Sequence, residues 1–178
     1  MTKSIESEQE LCVECGFCCD NTLFDIASFK PKENKPPKFE KLIVDRGDGQ
    51  CFELPCTFFD CKCTIYDQHK PLVCGTFRCK YLKSYSNSDR TLSDALEVIN
   101  EIKKQRDEIL NVYTKETGKK LSFRKVLWEL RNLRWKNKMN SELEVIYQKA
   151  QLLEFHLSVH FQSDESFEKQ FETIDNNE

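Results

Sequence analysis

Ten cysteines are the residues of this chain whose type and spacing point to chemistry, and all of them fall between Cys12 and Cys79. A thiolate is a soft, anionic and geometrically undemanding donor, so zinc and iron-sulfur clusters are its natural partners in a reducing compartment. Cys12, Cys15, Cys18 and Cys19 arrive within eight positions and form overlapping CxxC pairs. That spacing lets two sulfurs reach one metal when the intervening backbone folds back, and Gly16 beside Cys15 supplies a permissive backbone for it. Cys18 and Cys19 are adjacent, so their side chains diverge, toward different metals or toward different atoms of one cluster. The second group is Cys51, Cys56, Cys61, Cys63, Cys74 and Cys79. Phe17, Phe52, Phe58, Phe59 and Phe77 lie among the cysteines, either as a dry shell around a centre or as a small core.

The competing use of an even number of cysteines is a disulfide framework, which needs an oxidising compartment. Residues 1–10 carry four charges and no apolar run, so they read as neither a secretory signal nor a mitochondrial presequence. No stretch approaches the roughly 20 apolar residues of a membrane span. The expectation is a cytoplasmic protein whose thiols are reduced and free to bind metal.

The segment Cys12-Val-Glu-Cys15-Gly-Phe-Cys18-Cys19 resembles the signature of the CxxCxxCC, or YkgJ-like, family, described as a zinc- or iron-chelating domain. The second half of that family's pattern carries a cysteine in a Cys-Pro-Phe-Leu-like segment, then Cys-x-Ile-Tyr, Arg-Pro, and two cysteines around an aromatic. Cys56-Thr57-Phe58-Phe59, Cys63-Thr64-Ile65-Tyr66, Lys70-Pro71, and Cys74 through Phe77 to Cys79 are similar to those elements in order. Lys70 stands where arginine is usual, one extra residue separates Tyr66 from Pro71, and Gly75 replaces another arginine. The resemblance covers residues 12–80 and implies eight metal ligands: Cys12, Cys15, Cys18, Cys19, Cys56, Cys63, Cys74 and Cys79. Cys51 and Cys61 are left over, as auxiliary ligands, Cys61 forming a CxC pair with Cys63, or as ordinary thiols. Eight thiolates satisfy two four-coordinate sites, or one cluster with ligands to spare. The triplet Cys12, Cys15, Cys18 matches the first three ligands of a bacterial ferredoxin-type run, which leans the reading toward an iron-sulfur cluster over zinc.

Other chemistry is less well supported by the residues present. His156 and His160 have metal-ligand spacing on a helix, but the intervening Leu-Ser-Val lacks the glutamate of a metalloprotease. His69, inside the cysteine region, is the better outside candidate for a ligand. Asp20, Asp25, Asp60 and Asp67 stand near cysteines without a partner that marks one as catalytic. No Cys-His signature marks a nucleophile. The reading therefore leans away from an enzyme.

The cysteines and the segments around them divide the chain in two. Residues 1–86 read as a small, loop-rich module stapled by metal, and residues 87–178 as an all-α bundle of three or four helices with a frayed tail. Residues 1–10 read as disordered and residues 29–39, with three prolines among lysines, as an exposed loop. Residues 41–44 form a strand candidate before a Gly-rich turn at residues 45–49. Thr91 or Ser93 caps a first helix carrying Leu92, Leu96, Ile99, Ile102, Arg106, Ile109 and Tyr113 near one face, and Gly118 stops it. A second helix starts at Ser122 and ends near residues 137–140. A third, from Ser141 to Phe161, precedes a short fourth capped by Ser163.

With 27 basic and 30 acidic residues, the net charge of -3 argues against a general nucleic-acid or membrane partner. The second helix is the local exception, with eight basic residues between positions 119 and 138 and Glu129 as the one acid. Trp128 and Trp135 point together with Arg124 and Arg131, away from the apolar stripe, which reads either as a central helix packed on two sides with solvated basic flanks or as a recognition face for a protein, an acidic partner or, less in keeping with the net charge, nucleic acid. The leading function is a metal-binding protein that handles or senses metal or carries electrons. The alternatives are an accessory subunit of a cluster-dependent modifying enzyme, since flagellin lysine methylases carry a similar cysteine pattern, or a zinc-stabilised module that binds nucleic acid or protein. No glycine-rich cofactor loop accompanies the cysteines here, which speaks against autonomous methyl transfer.

Overall fold

The structure, a computed structural model, describes residues 4–47 and 49–162. It opens with a helix where the sequence suggested disorder: α1 spans Ile5–Cys15. Ser4 caps it by accepting a hydrogen bond from the Ser7 amide at 3.2 Å, and Glu6 and Glu8 sit in the first turn, where the helix dipole favours acids. Its intrinsic tendency is weak, so packing must hold it, and Leu11 is fully buried against the helical core. Gly16 ends the helix in the left-handed conformation (φ 70°), its amide bonding to the Cys12 carbonyl.

The next stretch is mainly irregular, with a three-stranded antiparallel sheet of β1 (Ile26–Ser28), β2 (Val44–Arg46) and β3 (Gly49–Glu53), in the order β1-β3-β2. The register pairs Ser28 and Val44 with Cys51 from either side. The strand expected at residues 41–44 begins only at Val44, because Pro37–Leu42 winds as a 3₁₀ turn that Pro37 initiates and Phe39 anchors. The expected exposed loop likewise has buried ends. Phe29, Phe39 and Phe52 stack edge-on or tilted, with centroids 4.9 to 6.3 Å apart, and Leu54 and Ile65 join them in a small second core. A short hairpin of β4 (Phe59–Asp60) and β5 (Lys62–Cys63) follows, then helices α2 (Leu72–Thr76) and α3 (Lys80–Ser86).

Three long helices complete the described chain: α4 (Leu92–Thr117), α5 (Phe123–Trp135) and α6 (Ser141–His160). Their limits follow from local signals. Thr91 and Asp94 form a reciprocal capping box, Gly118 takes a left-handed cap, and Asn140 caps α6 by accepting from Leu143. The described residues are thus helix-rich, with a small three-stranded sheet and a two-stranded hairpin. The fourth helix expected after Ser163 lies outside the described residues. Among the described residues, no helix is long and apolar enough to cross a membrane.

The main core does not stop at the end of the cysteine region. Leu11, Phe17, Leu23, Tyr81, Leu82 and Tyr85 share one cluster with Ile99, Tyr113, Leu130 and Leu157 of α4, α5 and α6. Phe17 meets Phe161 edge-on at 5.5 Å, and Tyr81 stacks on Phe161 at 4.7 Å. The helices therefore form the wall on which the cysteine turn is built.

Candidate metal centre

Cys12 and Cys15 lie three residues apart in the last turns of α1, so the first CxxC pair is helical and Gly16 caps it from outside. Beyond the cap the chain turns tightly, with the Gly16 carbonyl accepting from the amides of Cys19 (2.8 Å) and Asp20 (3.0 Å). This turn carries Cys18 and Cys19. Cys56 follows the sheet and is tied to the turn by its amide, which donates to the Cys19 carbonyl at 2.8 Å. Cys63 stands on β5, Cys74 on α2, and Cys79 is the N-cap of α3, its sulfur accepting from the Leu82 amide at 3.3 Å. All ten cysteines are free thiols.

Two adjoining cavities separate these thiols. The larger, about 290 Å³, lies between the cysteine turn and the sheet and is faced by Cys12, Cys18, Cys19, Cys56, Cys63 and Cys74. The smaller, about 50 Å³, lies toward the helical core and is faced by Cys12, Cys15, Cys18, Cys19 and Cys79. Together they bring in all eight cysteines of the family-like pattern. The two remaining cysteines lie elsewhere. Cys51 is buried in β3, where its thiol donates to the Val44 carbonyl at 3.5 Å, and Cys61 is exposed at the tip of the β4–β5 hairpin with a left-handed backbone (φ 57°).

Burial dominates the electrostatics of the thiols. It pushes Cys15, Cys18 and Cys19 far above the ordinary thiol value, with neighbouring cysteines adding to the rise. Cys74 is pushed up to about 12 by the same cause, although it keeps contact with solvent. Cys12, Cys56 and Cys79 are also raised, Cys79 against the opposing pull of backbone amides at the start of α3. Without a cation, burial therefore favours the protonated form of these seven thiols. Lys70 faces the larger cavity, hydrogen-bonded to the Tyr66 carbonyl and 3.7 Å from the Tyr66 ring centroid, and its charge favours the thiolates of Cys12 and Cys74.

Several residues hold the cysteine turn in place, a role that the sequence did not assign to them. Arg106, which sat in the apolar stripe of the first long helix, reaches from α4 to pair with Asp20 and to donate to the Thr22 hydroxyl at 3.1 Å. Burial raises the Asp20 carboxyl and Arg106 opposes that rise. Asn21 is fully buried with φ 67°, bonding the Phe24 carbonyl at 2.7 Å and accepting from Ser122 at 2.5 Å. Arg124 of α5 pairs with Asp25 at 2.8 Å. The available clue was an arginine inside an apolar stripe, which needs an acidic partner, and Asp20 directly after the paired cysteines supplies one.

The aromatic residues of the region divide between the two expected roles. Phe17 belongs to the helical core, Phe58 packs 5.0 Å from Phe39 in the second core, and Phe52, Phe59 and Phe77 face the larger cavity. His69, His156 and His160 are exposed and face neither cavity. Trp128 and Trp135 are 64% and 87% exposed, so the face they share is unpartnered by the bundle. Arg131 turns to Glu154 and Arg134 to Glu144.

Among the described residues, no three Cys, His, Asp or Glu side chains converge as a ready-made metal cage. The donor set nonetheless suits a soft metal, since eight thiols with no disulfide face two cavities and one cation stands beside the larger. Coordination would have to deprotonate the thiols and draw them together, as is usual where metal binding completes a small domain. No family model, curated protein or solved structure matches the chain.

Proposed function

We propose that this is a metal-binding protein of the CxxCxxCC kind, which holds an iron-sulfur cluster or zinc through Cys12, Cys15, Cys18, Cys19, Cys56, Cys63, Cys74 and Cys79. Its work is to handle or sense metal, or to carry electrons, rather than to catalyse a reaction. The reading rests on one observation: the eight cysteines of the spaced pattern all face the two adjoining cavities, while Cys51 and Cys61 face neither. The eight free thiols come from α1, the turn after it, the loop before β4, β5, α2 and the N-cap of α3, and a soft metal is the natural partner of so many thiols gathered in one place. The metal then staples the cysteine region onto the helices.

Anaerobic purification followed by metal and sulfide analysis tests this. Brown protein with broad absorbance near about 400 nm, and iron matched by acid-labile sulfide, identifies a cluster. Colourless protein with stoichiometric zinc identifies the zinc form. Protein that takes up neither metal after reconstitution under reducing conditions overturns the proposal.

A second reading, in which the centre serves an attached protein, draws support from Trp128 and Trp135, which lie seven residues apart on α5 and are largely exposed. Large exposed aromatics are enriched where proteins dock.

A further inference from the structure

The eight thiols are not placed evenly around the two cavities. Cys56, Cys63 and Cys74 face only the larger one, and Cys15 and Cys79 only the smaller. Cys12, Cys18 and Cys19 stand on the wall between them. The chain itself decides how this wall is shared. Cys12 is one helical turn from Cys15 on α1, which puts both sulfurs on the same side of the helix. Cys19 is bound through its carbonyl to the amide of Cys56, which commits it to the sheet side. Cys18 and Cys19 are neighbours in sequence, and adjacent side chains diverge.

Resting on the metal-binding reading, we infer that the protein carries two separate four-sulfur centres, one from Cys12, Cys15, Cys18 and Cys79 and one from Cys19, Cys56, Cys63 and Cys74, with the Cys18–Cys19 peptide passing from one to the other. Four sulfurs per centre is the number that a closed tetrahedral site or a cubane requires. The two centres differ in position and surroundings. The first joins α1 to α3 over the helical core, in a space of about 50 Å³. The second joins the cysteine turn to β5 and α2 beside Lys70, in a space of about 290 Å³.

Cobalt(II) is a suitable probe, because it takes tetrahedral thiolate sites and its sulfur charge-transfer and visible bands report them directly. The full chain, reduced and metal-free, is titrated anaerobically, with far-ultraviolet circular dichroism as the folding control. Saturation at two equivalents is expected for the wild type and at one for each of two double variants, Cys15→Ser/Cys79→Ser and Cys56→Ser/Cys74→Ser. Wild-type saturation at a single equivalent overturns the two-centre inference while leaving the metal-binding reading intact. Loss of all cobalt binding in both double variants, with helical content preserved, does the same. Absence of thiolate bands in the wild type overturns the two-centre inference, and if the protein also takes up neither iron nor zinc on reconstitution it sinks the metal-binding reading itself. Because the wild-type titration decides the number of centres without any substitution, misfolding of a variant does not leave the question open.

Discussion

Gly16 and Phe59 are packed so closely that a Cβ on Gly16 would lie 2.5 Å from Cζ of the Phe59 ring. The glycine also holds φ 70°, a backbone conformation that side chains disfavour. One residue thus ends α1, starts the cysteine turn and lets the β4–β5 hairpin close against it. The contact brings the first and second groups of cysteines to the same place.

Gly16→Ala is therefore expected to destabilise the protein by about 2–4 kcal/mol, the sum of left-handed strain and a clash that the ring must move to relieve. Pairing it with Phe59→Ala should recover the clash and leave the strain. Urea unfolding of the single and double variants checks this, and equal loss in both would show that the ring is not the obstacle.

Arg106→Met removes the partner of a mostly buried carboxylate while keeping an unbranched apolar stem. Leaving Asp20 unpaired is expected to cost about 2–4 kcal/mol. The metal affinity should fall with it, since Asp20 directly follows Cys18 and Cys19 in the turn. Thermal unfolding and a chelator competition assay measure the two effects, and a melting temperature within a degree or so of wild type would refute the role given to the pair.

The two outlying cysteines provide an internal contrast. Cys51→Ala and Cys61→Ser should leave the metal content unchanged, with a stability loss of about 1 kcal/mol for the buried Cys51 and little for the exposed Cys61. Cys56→Ser or Cys79→Ser should lower the metal content. Elemental analysis of the four purified variants decides it, and metal loss in Cys51→Ala would return that thiol to the ligand set.

Burial holds the thiols of Cys15, Cys18, Cys19 and Cys74 above their ordinary value in the metal-free fold. As pH rises past the unfolded thiol value of about 8.5, the unfolded chain gives up these protons before the folded one does. Stability that is complete below that pH is then lost progressively toward the folded values. The urea midpoint of metal-free protein should drop between about pH 8 and pH 10, and that of metal-loaded protein should drop less, since its thiolates are already ionised. A metal-free midpoint that stays flat over this interval would contradict the burial of these thiols.

Chelation should loosen the sheet side before the long helices. Among the described residues the second core has Phe29, Phe39, Phe52, Leu54 and Ile65 at its buried centre, whereas α4, α5 and α6 share a much larger one. Hydrogen exchange is expected to rise first in residues 49–79 when metal is removed. Simultaneous loss of protection in α4 and α6 would mean that the metal supports the whole fold.

The sequence alone determined what depends on near neighbours. The cap at Thr91, the glycine stop at Gly118 and the helix start at Ser141 were legible because such signals act within a turn of the backbone. Cysteine spacing likewise marked the chemistry, since it is local. The tertiary structure decided the rest. Helix α1 was hidden because charges fill its first half and its stability comes from Leu11 against the distant bundle. Whether Cys51 was an auxiliary ligand or an ordinary thiol stayed open in the sequence, and strand pairing answers by burying it beside Val44, away from both cavities. Arg106 read as an interruption in an apolar stripe until the fold brought Asp20 to it across 86 positions. A helix is written in residues three and four apart, whereas a site is made by residues whose separation along the chain carries no record of their meeting.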